Sequence, residues 1–158
     1  MDIDHETKLR IEKVIEEFKG NKEIKTFENE SGYKQIIIQK DIPFMALCEH
    51  HHLPFYGTVT IGYIPKGRLI GLSKLSRIAE KFFNPTVYTL QEKGTQKIAN
   101  YLSDKVNING AIVLVKAVHG CIAYRGVKKL SETVTIAFNG LFTKENVRRE
   151  FLELMREK

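Results

Sequence analysis

Two short stretches hold both cysteines and four of the five histidines of this 158-residue chain. Cys48 and His51 are three positions apart, so one tight turn can present both side chains to the same ion. His119 and Cys121 are two positions apart, and on an extended strand they would point to the same side. Thiolate and imidazole are preferred zinc ligands, and a shell of three protein ligands leaves one tetrahedral position for water. The sequence therefore predicts a catalytic zinc held by Cys48, His51 and Cys121.

Two other interpretations of these residues stay open. A structural zinc site would add a fourth, histidine ligand and leave no position for water. In the second interpretation no metal is bound, and these cysteine and histidine side chains form an unmetallated buried pair. The remaining histidines His50 and His119 favour the catalytic interpretation, because imidazole carries protons near neutral pH. His52 is expected to be exposed or just outside the ligand shell, with no assigned role.

The composition is that of a globular protein of one domain. Hydrophobic residues make up 42% and charged residues 28%, and the length suffices for a core. No apolar run is long enough for a membrane span, and the acidic, polar N-terminus predicts no signal peptide. Cysteines without an export signal predict reduced thiols and a cytoplasmic location. The net charge of +6 suits nucleic acid or a small polyanion, and the even spread of basic residues favours discrete anion pockets.

Hydrophobic periodicity predicts an α+β domain over residues 1–158, with the order α-β-β-α-α-β-β-α. Helices are predicted over residues 6–18, 74–83, 88–104 and 144–157, and strands over 33–42, 55–64, 111–124 and 131–138. The core, 32–140, lies between an N-terminal helix with a polar connection, 1–31, and a C-terminal helix, 141–158.

Four positions mark the expected ends of these elements. Gly20 and Asn21 should end the first helix, Pro43 should end the first strand, and Ser73 should cap the second helix. Four strands do not readily close into a barrel within one chain, so the sheet keeps open edges. A homo-oligomer is therefore expected.

Several motifs, in their order and nearly in their spacing, resemble those of GTP cyclohydrolase I. They are Cys48-Glu49-His50-His51, Pro54-Phe55-Tyr56-Gly57, Tyr63-Ile64-Pro65, Gly71-Leu72-Ser73-Lys74-Leu75-Ser76-Arg77, His119-Gly120-Cys121 and Arg125-Gly126-Val127. The resemblance covers roughly residues 6–152. It implies a tunnelling fold (T-fold), in which ββααββ units join side by side into barrels, and a toroidal decamer with active sites between subunits.

The resemblance also implies an activity. The family converts GTP to 7,8-dihydroneopterin triphosphate and releases formate, the first step toward folate, tetrahydrobiopterin or 7-deazaguanine compounds. Cys48, His51 and Cys121 match its zinc ligands, in agreement with the spacing argument. His119 matches the proton donor to purine N7, and His50 matches a proton-transfer residue beside the metal, which lowers the pKa of its bound water.

The resemblance places the substrate in two further groups of residues. Ser73, Lys74, Arg77 and Arg125 match the triphosphate site, and Ser73 also counts among the catalytic residues. A helix N-terminus and arginine side chains both favour phosphate, which supports this assignment independently. Arg10 would reach the phosphate of a neighbouring subunit. Gln91 and Glu92 match a pair whose glutamate holds N1–H and the 2-amino group of guanine, and the resemblance implies that both residues bind the substrate.

The chain departs from the family pattern before and after this pair. Three extra residues separate Pro85 from Gln91, and Gly94 replaces the usual leucine. We expect the extra residues to be pushed outward as a loop while Glu92 keeps its place; otherwise guanine is held differently.

Two alternative functions remain. One is a T-fold relative that stops at the formylated ring-opened intermediate. The other is a non-enzymatic zinc module that binds nucleic acid, which would show a closed four-ligand site and salt-dependent binding. The histidines beside only three expected ligands disfavour this module, and neither nucleic acid nor a membrane is an expected partner.

Overall fold

The computed structural model describes residues 3–19 and 23–156. Its helices are α1 (His5–Phe18), α2 (Leu72–Phe82), α3 (Gln91–Lys105), the single turn α4 (Gly120–Ala123) and α5 (Glu145–Arg156), with a 3₁₀ turn over Gly140–Thr143. Its strands are β1 (Thr26–Glu28), β2 (Ile37–Cys48), β3 (Pro54–Pro65), β4 (Arg68–Ile70), β5 (Tyr88–Thr89), β6 (Ile108–His119) and β7 (Glu132–Phe138). The predicted α+β class is confirmed.

A mixed sheet in the order β5-β2-β3-β6-β7 forms the centre of the fold. β2, β3, β6 and β7 pair antiparallel, while β5 runs parallel to the last residues of β2. Leu47 pairs with Pro54, and Phe55 pairs with His119. The register therefore brings the end of β2, the start of β3 and the end of β6 to one end of the sheet.

Each face of this sheet is covered by different helices. α2 and α3 pack on one face, where Ile78 and Leu102 are fully buried. The other face is covered by the 3₁₀ turn and α5 through Phe142 and Phe151, which are also fully buried. Each such side chain contributes about 1.5–3 kcal/mol to folding. The two layers hold the sheet rigid beneath the end at which β2, β3 and β6 meet.

The first long strand continues past the proline that was expected to end it. β2 extends to Cys48, and Pro43 pairs with Thr58 of β3 within it. β5 pairs only with Leu47 and Cys48, so in the described chain the other side of β2 is open at Pro43. A proline, which has no N–H to donate, is tolerated on such an edge. The continuation places Cys48 at the very end of a strand.

The two central helices begin at residues other than those predicted. α2 starts at Leu72, and Ser73 lies inside its first turn without a capping hydrogen bond, so the expected Ser73 cap is wrong. α3 starts at Gln91, because Tyr88 and Thr89 form a strand instead. Backbone hydrogen bonds to the end of β2 hold this segment extended.

The third predicted strand also ends early, at His119. Residues Gly120–Ala123 form the helical turn α4, so His119 and Cys121 do not lie on one extended strand. A Cβ at Gly120 would lie 2.7 Å from the Pro54 carbonyl oxygen, so only glycine fits this close approach. The chain turns there, and the turn sets where Cys121 lies.

The N-terminal part of the chain adds two features. β1 pairs with β4 in a separate two-stranded sheet, although residues 22–32 and 68–72 were expected to be connections. α1 confirms the predicted helix, but none of its residues is buried. Ile11, Val14 and Ile15 of its apolar stripe line a cavity that Leu47 and Tyr88 also line. The expected stop at Gly20 and Asn21 lies outside the described residues, and α1 ends at Phe18. None of the described helices is long and apolar enough to cross a membrane.

Candidate metal centre and nucleotide site

A tight turn after β2 presents the first two expected metal ligands. The Cys48 carbonyl accepts a hydrogen bond from the His52 N–H at 2.8 Å, and the Cys48 N–H donates to Leu53 at 2.8 Å. His52 adopts φ +55°, which closes the turn, and its ring lies 4.6 Å from that of Tyr88. His52, which had no expected role, therefore shapes the turn that carries His51.

Cys48, His51 and Cys121 come together as the spacing predicts. One ligand atom of each lies within 4.8 Å of the others. In tetrahedral zinc sites, bonds of about 2.0–2.3 Å place neighbouring ligand atoms roughly 3.5–3.8 Å apart, so small side-chain adjustments would accommodate an ion. Cys48 is buried, Cys121 half-buried and His51 exposed, which leaves the centre open on one side.

The electrostatics of the two thiols also suit a cation. Burial raises the pKa of Cys121, and the neighbouring Cys48 thiol raises it further. Both cysteines are free thiols. A divalent cation favours the thiolate form of Cys121, which burial and the neighbouring thiol disfavour, so the donor set fits a zinc-type ion.

His119 lies beside this centre in a fixed orientation. Its ring stacks on Phe55 with the centroids 4.7 Å apart and the planes 5° from parallel. Its Nε2 lies 2.7 Å from Oε1 of Gln91, a residue that is 1% exposed. Burial lowers the pKa of His119, while the nearby charge of Glu92 raises it in part. The structure thus brings His119, Gln91 and Glu92 together at the metal end of the sheet.

Further charged residues surround the same centre. Lys93 donates to both carboxylate oxygens of Glu49 at 3.0 Å, and this ion pair lowers the pKa of Glu49. The pair links the first turn of α3 to the turn that carries the ligands. His50 is exposed on that turn, and Arg125 is close enough to Cys121 for its charge to act on the thiol.

Two of the expected phosphate ligands, Ser73 and Lys74, lie toward the opposite end of the sheet. Lys74 is near both Arg77 and Lys25; partial burial and these two charges lower its pKa. The Ile70 N–H, just before α2, donates to the Tyr63 hydroxyl at 3.0 Å. Tyr63 lies eight residues along β3 from Phe55, about 27 Å away at the rise of an extended strand. Ser73 and Lys74 of one chain are therefore not brought to its own metal centre.

Arg10 lies on α1 and pairs with Glu6 one turn earlier. It also lines a cavity of about 430 Å³ between α1 and the Leu47–Tyr88 region, close to the end of β2. Its side chain is 74% exposed in the single chain.

Three contributors to this site were not predicted from the sequence motifs: Phe55, Lys93 and the strand β5. Phe55 belongs to the motif Pro54-Phe55-Tyr56-Gly57. Its stacking on the ring of His119 depends on the pairing of β3 with β6, which the motif does not indicate. Lys93 looks like any exposed helix cation until its partner is known. A signal for β5 was present, since Val87, Tyr88 and Thr89 all favour strands.

Comparisons with known proteins agree with the motifs. A family model described as GTP cyclohydrolase I matches residues 5–156. The GTP cyclohydrolase 1 of Aquifex aeolicus is 42% identical over 156 residues, covering 96% of this chain and 83% of that protein. The GTP cyclohydrolase 1 of a Sulfurihydrogenibium species is 40% identical over 155 residues, covering 95% and 81%. Among solved structures, the archaeosine synthase QueF-Like in the apo form aligns with a TM-score of 0.48 at 16% identity, covering 65% of this chain and 93% of that one.

These matches extend over nearly the whole chain and confirm the resemblance on which the enzyme assignment depends. Both relatives are named as hydrolases of the same kind. On the strength of the family model and of relatives at 42% and 40% identity, this protein belongs to the GTP cyclohydrolase I family.

Proposed function

We propose that this protein is a zinc-dependent GTP cyclohydrolase I, which converts GTP to 7,8-dihydroneopterin triphosphate and formate. The observation that carries the proposal is the group formed by Cys48, His51 and Cys121 with His119 and Glu92 beside it. The group combines an open metal-binding triad, a proton carrier and a carboxylate. Opening a purine ring by hydrolysis requires these three chemical functions.

Cys48, His51 and Cys121 would hold the metal. When bound, a zinc ion supplies hydroxide at neutral pH by lowering the pKa of a coordinated water. His119 donates a proton to N7 of the purine, which makes C8 a better electrophile. His50, exposed on the ligand turn, exchanges protons with solvent and with the reacting groups.

Glu92 binds the guanine edge. N1–H and the 2-amino group point the same way, and a carboxylate accepts from both. Burying two donors without an acceptor would cost several kcal/mol, so the site needs such a group. Glu92 is exposed on the first turn of α3, and its charge reaches His119. That position lets one purine contact Glu92 through its pyrimidine edge and His119 through its imidazole edge.

The triphosphate site is completed by a second copy of the chain. Ser73 and Lys74 follow Ile70 at the end of β3 that carries Tyr63, whereas the metal triad lies at the end that carries Phe55, so one GTP does not reach both groups within a chain. Arg77, further along α2, lines a cavity with Phe44 and Met45 of β2. Ser73, which counts among the catalytic residues by resemblance, then acts across this interface. Arg125 lies at the metal end of its own chain and binds the phosphates there.

The assembly we propose is a T-fold homo-oligomer, a decamer as in the family pattern. Exposed apolar side chains on both outer parts of the sheet support it: Met45 on β2 is 42% exposed, and Val134 on β7 is 54% exposed. Open strand edges with apolar residues pair readily with another chain. The exposed stripe of α1, with Leu9 at 51% and Val14 at 47%, gives a further surface, from which Arg10 reaches a neighbouring phosphate. The free thiols suit a cytoplasmic location.

Incubation of the zinc-loaded protein with GTP tests the proposal. Mass spectrometry should detect 7,8-dihydroneopterin triphosphate together with formate, and oxidation should give pterin fluorescence. Accumulation of the formylated ring-opened compound would show instead a relative that stops early. Unchanged GTP would refute an enzyme acting on this substrate.

A further inference from the structure

The side chain of Gln91 is enclosed by hydrogen-bond acceptors. Its Nε2 lies 3.0 Å from the Thr133 carbonyl oxygen, 3.2 Å from the Val115 carbonyl oxygen and 3.2 Å from the Thr135 hydroxyl. Carbonyl oxygens only accept, so the amide nitrogen must face them. The reverse orientation would place Oε1 against two carbonyl oxygens and leave both without this donor.

Two threonines confirm the direction of these bonds. The Thr95 hydroxyl donates to the backbone carbonyl oxygen of Gln91 at 2.7 Å, so the only proton of this hydroxyl is used there. The Thr135 hydroxyl, 2.7 Å from that of Thr95, must then donate to it. Thr135 can therefore only accept from Gln91. All three groups around Nε2 are acceptors, and the orientation of the amide is determined.

The orientation of the Gln91 amide determines which ring nitrogen of His119 carries the proton. Because Nε2 of Gln91 faces the sheet, its Oε1 faces the histidine and accepts the hydrogen bond of 2.7 Å from His119 Nε2. Neutral His119 therefore carries its proton on Nε2 and has its lone pair on Nδ1. Turning the ring over about Cβ–Cγ would put carbon Cε1 in place of Nε2 and lose this hydrogen bond, so the bond to Gln91 and the stacking on Phe55 together hold the ring in this orientation.

We propose that Gln91 is a positioning residue that fixes the tautomer of His119 and so makes Nδ1 the atom that exchanges protons with the substrate. The proposal depends on the proposed function only for the identity of that substrate. Gln91 acts through His119, and its buried side chain does not contact guanine, which differs from the role that the family resemblance implies.

Nitrogen-15 NMR of the zinc-loaded protein tests the tautomer without any substrate. Histidine nitrogens labelled with ¹⁵N, assigned with a His119→Gln variant, should show a protonated Nε2 and an unprotonated Nδ1 for neutral His119. A protonated Nδ1 in the unmodified protein would overturn the proposal. This measurement requires no Gln91 variant to fold.

Gln91→Met provides the kinetic test, because it keeps the length of the side chain and removes the amide. For a folded, zinc-loaded variant we expect kcat for GTP to fall about 10- to 100-fold, with KM nearly unchanged and both His119 tautomers populated. Gln96→Met is the matched control: Gln96 lies further along α3, is exposed and donates a hydrogen bond to Asn100. Its kcat should equal that of the unmodified protein.

Three results have distinct meanings. An increase in KM without a change in kcat would make Gln91 a substrate ligand and overturn the proposal. An unchanged tautomer and kcat in Gln91→Met would also overturn it. A protonated Nε2 in a protein that leaves GTP unchanged would refute the proposed function while supporting the assignment of Gln91.

Discussion

Gly94 is the position at which one added methyl group should have the clearest effect. It lies on α3, where a Cβ would fall 2.3 Å from Cε1 and Cζ of Phe83. Ordinary contact begins near 3.4 Å, so the ring would have to retreat by about 1.1 Å. Phe83 is 1% exposed and packs on Phe44 at 4.6 Å and on Phe55 at 6.0 Å, so it has little room to move.

Two opposing effects set the magnitude for Gly94→Ala. Overpacking of a close-packed core costs about 1–3 kcal/mol. Replacing glycine with alanine inside a helix stabilises the helix by about 0.8–1.0 kcal/mol. The net loss of unfolding free energy is therefore about 1 kcal/mol, or roughly 2–4 °C in Tm for a chain of this length.

A double-mutant cycle separates the two effects. Phe83→Leu removes the two nearest ring atoms, so in that background Gly94→Ala should stabilise the protein by about 0.5–1 kcal/mol through helix propensity. Urea unfolding at a fixed protein concentration measures the unmodified protein and all three variants. Stabilisation by Gly94→Ala in the unmodified background would refute the packing argument. Because Phe83 supports Phe55, and Phe55 supports His119, we also expect GTP turnover to fall in the single variant.

The remaining predictions concern the substrate and the fold beneath it. Arg77→Ala and Arg125→Ala should each weaken GTP binding by about 1.5–3 kcal/mol and guanosine binding far less. Calorimetry measures both affinities, with Lys128→Ala, in the same loop as Arg125, as the control. Equal losses for both ligands would mean that these arginines support the fold. Glu92→Gln should nearly abolish GTP turnover with zinc content and assembly intact, because an amide places a donor toward donors; an active variant would locate guanine recognition elsewhere. Tyr63→Phe should lower the free energy of unfolding by about 1–3 kcal/mol, since the buried backbone N–H of Ile70, at the end of β4, loses its acceptor. An unchanged free energy of unfolding would show that water replaces the hydroxyl.

The approach of Cys48 and His51 was predictable because it depends on a short spacing. A turn of three positions joins Cys48 to His51 whatever the rest of the chain does. The argument for Cys121 succeeded for a different reason from the one given, since β6 ends at His119 and a helical turn brings Cys121 to the centre. The order of the motifs therefore predicted Cys121 as a member of this group, whereas the assumed strand geometry was wrong.

The parts that could not be predicted depend on long-range contacts. The extra residues after Pro85 were expected to bulge outward. Instead the Val87 carbonyl oxygen accepts from the Leu47 N–H at 3.2 Å, and that of Thr89 accepts from the Glu49 N–H at 3.2 Å, which draws the segment inward as β5. The absence of a side chain at Gly94 likewise becomes understandable only when the ring of Phe83 is seen to fill that space.

Metal content and GTP turnover, measured on the same preparations, test the central claim most directly. Cys48→Ser, His51→Ala and Cys121→Ser should each lose bound zinc and activity together, since each removes one ligand of three. His50→Ala and His119→Ala should keep about one zinc per chain, as their triads stay intact, and lose turnover. A Cys121→Ser variant that retained zinc and activity while His119→Ala lost its zinc would contradict the account, because the histidine would then be the ligand.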